Sequence, residues 1–181
     1  MFIDAYFGEM RTVTRQLSDT NAFGRSSRGF VKEGYEVLRN IYGLCADTPK
    51  AKIYPGIPEH INSYGQGKYH YVTGSASWLL MTLLTQVYGV RGEMGDLILD
   101  PKLTKEQFDN GVASVTTTFA GKKLKIVFED PGEKEFGEYA VQAVSCNDLA
   151  LPFEAQGNAA KIKRQLFRDM ARHSVLKVRL G

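Results

Sequence analysis

The sequence predicts an α+β protein, helical in its first half and an antiparallel β-sandwich in its second. Two observations carry this: the apolar period changes from helical spacing to two near Gly92, and turn dipeptides recur at short intervals only after that point. The 181 residues, 43% of them hydrophobic, can fill the core of one ordinary domain or of two small packed pieces. Neither an internal repeat nor a low-complexity linker interrupts the chain, so the parts are expected to pack directly on one another, with the boundary between 92 and 93.

Phe30, Val31, Tyr35, Val37, Leu38, Ile41 and Tyr42 form one stripe, with Ser27 placed as N-cap and Gly43 as the stop. This spacing predicts a helix over Arg28 to Tyr42. A second helix is expected from Ser75 to Tyr88, because Ala76, Leu79, Leu80, Met81, Leu83, Leu84 and Val87 leave little polar face before Gly89 ends it. A helix apolar on most sides belongs inside a larger helical body. Between the two, Pro55, Gly56, Pro58, Gly65 and Gly67 make residues 53–67 a shaped loop. Beyond Gly92, strands are expected over Gly95 to Leu99, Ala113 to Phe119, Lys123 to Phe128, Ala140 to Ser145, Ala160 to Phe167 and Ser174 to Leu180. Turn signals at Ala120-Gly121, Pro131-Gly132, Asn147-Asp148 and Gly157-Asn158 separate several of these strands, and Leu97 and Leu99 at the border should be buried.

The formal charge of +3 comes from 23 basic and 20 acidic residues spread along the chain, with no run suited to a phosphodiester backbone, so nucleic acid is not an expected partner. Cys45 and Cys146 stand far apart, outside any CxxC or Cys/His cluster, which suggests neither a metal site nor a disulfide framework. The first ten residues carry Asp4 and Glu9 without a basic leader, and Thr82, Thr85 and Gln86 interrupt the longest apolar run. A cytoplasmic protein without a membrane span is expected.

The segment KYHYVTGSASWLL (Lys68 to Leu80) places Thr73, Gly74 and Ser75 where the second helix begins. Unpaired backbone N–H groups and the positive end of a helix dipole make an anion site, which Gly74 lets an anion approach closely. The same residues also suit an ordinary N-cap with close packing, and both readings stand at this level.

Three blocks in order, YPGIPEHIN (Tyr54 to Asn62), YHYVTGSASWLL (Tyr69 to Leu80) and GVRGEMGDLILDPKL (Gly89 to Leu103), resemble glycoside hydrolase family 94. That family comprises cellobiose, cellodextrin, chitobiose and 1,2-β-oligoglucan phosphorylases and the phosphorylase-like part of cyclic glucan synthases. The YPGIPE form resembles the oligoglucan and glucan-synthase branch. The resemblance implies that residues 1–92 are the last helices of an (α/α)6 barrel and residues 93–181 a jelly-roll-like sandwich. It further implies inverting phosphorolysis of β-linked gluco-oligosaccharides to a sugar 1-phosphate, with inorganic phosphate as co-substrate and no metal or organic cofactor. The implied partners are oligosaccharide, phosphate, and either the upstream portion of the same enzyme or further copies of the chain. A non-catalytic carbohydrate-binding or scaffold fragment is the alternative.

Within the resemblance, the family's phosphate-binding Thr-Gly pair maps onto Thr73 and Gly74, with Ser75 beside them. Arg25, in FGRSSRGF, and His70 could add charge and donors at the same cavity; a solvated helix end and a packed core histidine are the competing readings. Tyr54 and Glu59 occupy the loop that in relatives borders the acceptor sugar, where a ring face and a carboxylate suit C–H and hydroxyl groups; Tyr54 could equally be structural. The family's catalytic aspartate belongs to an upstream barrel segment, so no catalytic residue is assigned. Asp4, Asp19 and Asp47 are not promoted to that role, and Asp96 and Asp100 are expected at turns and edges.

Overall fold

A computed structural model describes residues 26, 29–53, 56–58, 60–69, 74–168 and 170–181. Two compact units divide the chain, Met1–Leu83 and Leu84–Gly181. Helix and mainly antiparallel sheet make it an α+β protein.

In the first unit the apolar stripe forms α1 (Val31–Ala46), which buries Val31, Leu38, Ile41 and Cys45. The helix does not stop at Gly43 as the spacing predicts. A Cβ at Gly43 would meet open space, and one further turn carries Cys45 into a cluster with Ile41, Ala51 and Ile53. That burial outweighs the cost of about 0.5–1 kcal/mol for a mid-helix glycine. Phe30 takes the N-cap position without a side-chain hydrogen bond, and the proposed cap Ser27 lies outside the described residues, as does Arg28. Short helix α2 (Thr48–Ala51) follows, with Pro49 in its first turn and Lys52 in the left-handed conformation behind it. The loop after it contains a two-stranded ladder, β1 (His60–Ile61) and β2 (Gly67–Lys68). Asn62 Oδ1 accepts the N–H groups of Tyr64 and Gln66 at 3.1 and 2.9 Å, closing the turn between them.

The second predicted helix is α only over α3 (Ser75–Thr82); Leu83–Val87 is a π turn. Thr82 Oγ1 donates to the Trp78 carbonyl at 2.8 Å, a back-bond of the kind that loosens a helix, and the Leu83 N–H is shared between the carbonyls of Leu79 and Leu80. Gly89 then turns the chain at φ +64°, where a Cβ would collide with the Asp100 carbonyl.

The second unit holds two sheets. Strands β3 (Val90–Glu93), β4 (Asp96–Leu99), β9 (Glu154–Gln156) and β10 (Ala159–Ile162) form an antiparallel sheet in the order β3-β4-β10-β9. Strands β5 (Val112–Phe119), β6 (Lys122–Glu129), β7 (Val141–Cys146), β8 (Leu149–Ala150) and β11 (His173–Leu180) form the other, ordered β5-β6-β11-β7-β8. Leu97, Ile98 and Leu99 of β4 are wholly buried, as expected for Leu97 and Leu99; full burial of one such side chain is worth about 1.5–3 kcal/mol. In β6 and β11 the alternation predicted by period two is complete, with Leu124, Ile126 and Phe128 buried beside Ser174, Leu176, Val178 and Leu180.

Two expectations are corrected in this unit. Strands β6 and β11 pair in parallel, His173 opposite Lys123 through Arg179 opposite Glu129, so the sheet is not wholly antiparallel. Alternation specifies which face is buried and is blind to strand direction. The strand predicted over Ala160 to Phe167 ends at Ile162, and Arg164–Arg168 is a short helix, α4. Its start is held by Asp96 Oδ1, which accepts the Arg164 N–H at 2.8 Å, and it buries Phe167 edge-on to Phe119 with ring centroids 5.3 Å apart.

Candidate functional site

Helix α3 begins with Gly74 as N-cap (φ −76°, ψ −13°), and among the described residues no side chain caps it. Its first backbone bond runs from the Trp78 N–H to the Gly74 carbonyl at 2.8 Å, so the N–H groups of Ser75, Ala76 and Ser77 precede the helical ladder. Those donors and the helix dipole offer positive potential to a small oxyanion. The backbone angles at Gly74 are open to any residue; glycine matters there for space, because a Cβ would come 3.3 Å from Trp78 Cδ1. Gly74 is exposed and the Ser75 side chain is buried, so the approach to the backbone lies on the Gly74 side.

Of the expected set, the structure places Gly74 and Ser75 side by side. Thr73, His70, Arg25, Tyr54 and Glu59 lie outside the described residues. His60 is buried on β1, its ring centroid 6.0 Å from that of Tyr69, and His173 is exposed on β11. Asp96 and Asp100 are engaged structurally. Asp100 pairs with Arg91 at 2.8 Å, while Asp96 lies 3.7 Å from Lys161 and 3.5 Å from Lys163. The backbone N–H of Arg164, then the two lysines, hold the Asp96 carboxyl below its ordinary range, and Lys161 does the same for Glu93.

The apolar surface of α3 differs from its expectation. Its buried residues are the polar Ser75 and Thr82, whereas Leu80 and Met81 are 66% and 50% exposed and Trp78 is 37% exposed. Apolarity on all sides reports the cover a helix is suited to, and this chain covers one face of it.

A concavity of about 260 Å³ in the second unit was not legible in the sequence. Lys105, Phe108, Asn110, Gly111, Asp130 and Glu133 line it. Asp130 follows β6 and is wholly buried; its Oδ2 accepts the Lys134 N–H at 2.7 Å, and its Oδ1 has no hydrogen-bond partner among the described residues. Its backbone is fastened by its own N–H to the Gly111 carbonyl at 2.8 Å and by the Glu133 N–H to its carbonyl at 3.2 Å. Asp130-Pro131-Gly132 reads in sequence as a turn, and nothing in it separates a solvated turn carboxylate from a buried one. Among the described residues no group of three or more His, Cys, Asp or Glu side chains gathers to hold a metal, and no helix is long and apolar enough to cross a membrane. No family model matches the chain, and no curated protein matches it.

Proposed function

We propose that this chain is the C-terminal part of an inverting glycoside phosphorylase of the family 94 type, its helical residues closing an (α/α)6 barrel and its strands forming the jelly-roll-like sandwich that follows. The observation that carries the reading is the start of α3 at Gly74-Ser75, with glycine at the N-cap position, which falls at the resembled phosphate-binding block. The exposed apolar side chains of α3 also suit a helix made to be covered by neighbouring barrel helices.

In this reading an oxygen of phosphate, held by the N–H groups around Thr73, Gly74 and Ser75, attacks the anomeric carbon of a β-linked glucosyl unit. The bond to the leaving sugar oxygen breaks, an upstream aspartic acid gives that oxygen its proton, and an α-sugar 1-phosphate results. Phosphate takes the place of the activated water of an inverting hydrolase, so a second catalytic carboxylate is dispensable. The turn contributes by holding the nucleophile in line.

Replacing Thr73 by Val in the chain assembled with a family 94 barrel tests the assignment. Phosphate use should weaken more than oligosaccharide use; equal loss of both would make Thr73 a structural cap. The second reading, a non-catalytic carbohydrate-binding fragment, draws on the polar concavity around Asp130, and sugar bound there without any phosphate at Gly74 would favour it.

A further inference from the structure

We infer that β5 is the seat of a two-fold dimer, in which two copies of this chain pair edge to edge and antiparallel through Ser114, Thr116 and Thr118. The direction of the backbone groups in β5 comes first. Ala120 and Gly121 both have positive φ (+49° and +73°), the two-residue turn in which the flanking pair, here Phe119 and Lys122, is hydrogen-bonded. Counted back by twos, Ala113, Val115, Thr117 and Phe119 turn their N–H and C=O groups to β6, while Val112, Ser114, Thr116 and Thr118 turn theirs to the sheet edge. Val112 fixes the same phase, since its N–H donates to the Asp109 carbonyl at 3.1 Å and its carbonyl accepts the Asp109 N–H at 2.9 Å. From Ser114 to Thr118 no hydrogen bond joins that edge to any described residue, and the side chains of Ser114, Thr116 and Thr118 are exposed.

Open edges are templates for another strand, and proteins blunt them with charge, proline, a bulge or short length. Three of the four edges in the second unit are blunted. Strand β8 has two residues, β9 has three and carries Glu154 paired with Lys163, and β3 has four and carries Arg91 and Glu93, both ion-paired. Strand β5 has eight residues, VASVTTTF, without charge or proline, in unbroken register with β6. It keeps the one edge of the four that none of these devices protects.

The open groups suit a second copy of the same strand. With the two-fold axis at Thr116, that residue stands opposite its own copy, and Ser114 of each chain stands opposite Thr118 of the other. Each then exchanges an N–H and a C=O with its opposite, about six backbone bonds in all. The facing side chains are Thr with Thr and Ser with Thr, pairs that hydrogen-bond across strands. The first like charges beside the axis are Lys125 and its copy, three strand spacings or about 14 Å apart and beyond the screening length at physiological salt. A foreign peptide strand would draw its specificity from pockets for alternate side chains, and a row of exposed Ser and Thr offers little of that kind.

The test uses the full chain with Leu80→Lys and Met81→Lys, which takes the exposed apolar residues of α3 out of play. Sedimentation from about 10 μM to about 1 mM should show a dimer growing with concentration. Amide exchange at Ser114, Thr116 and Thr118 should slow about tenfold or more between the two ends of that range, while Val115 and Thr117, bonded to β6, stay protected throughout. Thr116→Lys sets like charges opposite each other at the axis and should weaken the dimer about fivefold or more, as should Thr116→Glu; an equal mixture of the two should restore it, because Lys then faces Glu. The exchange measurement needs no change in β5, so it decides the matter if substitution at Thr116 disturbs the fold. A monomer at the highest concentration, a dimer in which those three amides exchange as fast as in the monomer, a dimer indifferent to Thr116→Lys, or a Lys and Glu mixture that stays monomeric would each overturn the inference. None of these readouts depends on phosphate or sugar, so this inference and the phosphorylase reading fail separately.

Discussion

The Tyr139 hydroxyl accepts the Leu103 N–H at 2.8 Å and faces the carbonyls of Leu103 and Pro101 at 2.8 and 3.1 Å. One buried phenol thereby fastens the segment leaving β4 to a residue 36 positions later, just before β7. Burial, reinforced by the negative charges of Asp130, Asp100 and Glu135, pushes the phenol well above its ordinary range, so it remains a donor throughout the range in which the protein can be studied. Tyr139→Phe leaves a buried N–H unpaired, a cost of about 1–3 kcal/mol. Urea unfolding followed by β-sheet circular dichroism should show that loss, and an unchanged midpoint would mean the contact is replaceable by water.

Two glycines with positive φ should respond differently to alanine. At Gly121 (φ +73°) a Cβ meets nothing, and Gly121→Ala should cost about 1–2 kcal/mol, the penalty of the left-handed backbone alone. At Gly89 a Cβ would also strike the Asp100 carbonyl, whose neighbouring N–H is bonded to the Gly89 carbonyl at 2.9 Å. Gly89→Ala should therefore be the more destabilising of the two in thermal melts, and equal melting points would contradict the packing described between Gly89 and Asp100.

Acid should weaken the second unit through Asp96 and Glu93. Their carboxyls lie below the ordinary range when folded, so the stability they contribute is present above the unfolded value of about 4 and is lost as pH falls through the lower folded value. Asp96→Asn keeps an oxygen for the Arg164 N–H and removes the charge seen by Lys161 and Lys163. Melting temperatures from pH 5 down to pH 2 should fall less steeply in that variant; parallel curves would remove Asp96 from the account.

Alternation made the buried rows of β6 and β11 legible, because Leu124, Ile126, Phe128, Leu176 and Val178 can share one face only in a strand. Strand direction was not legible, since a parallel and an antiparallel partner bury the same row. The short strand β3 was hidden by Gly92 at its centre, although its turn to β4 carries Met94 and Gly95 at positive φ. The start of α3 was readable to the residue from Gly74-Ser75, but the π turn that follows the Thr82 hydroxyl bond leaves no mark in the periodicity. The Asp130 concavity lay beyond reach because its lining comes from two loops separated by β5 and β6, brought together only by the hairpin.

The uncovered side of α3 predicts association. Leu80 and Met81 are adjacent and exposed, and a chain presenting them should self-associate or recruit the upstream part of a barrel. Leu80→Lys with Met81→Lys should shift the light-scattering mass of the purified chain toward the monomer. An unchanged mass distribution would place the association elsewhere.

Release of glucose 1-phosphate tests the central claim most directly. The chain is incubated with phosphate and β-1,2-, β-1,3- or β-1,4-linked gluco-oligosaccharides, alone and with a family 94 N-terminal portion supplied. General acid catalysis is worth on the order of 10² to 10⁴ in rate, and positioning by the rest of a barrel adds a comparable or larger factor. The account predicts no detectable product from the chain alone and phosphate-dependent product from the assembled pair. Product from the chain alone would mean that a carboxylate such as Asp19 or Glu59 is the acid, and no product from either preparation on any linkage would contradict the phosphorylase reading.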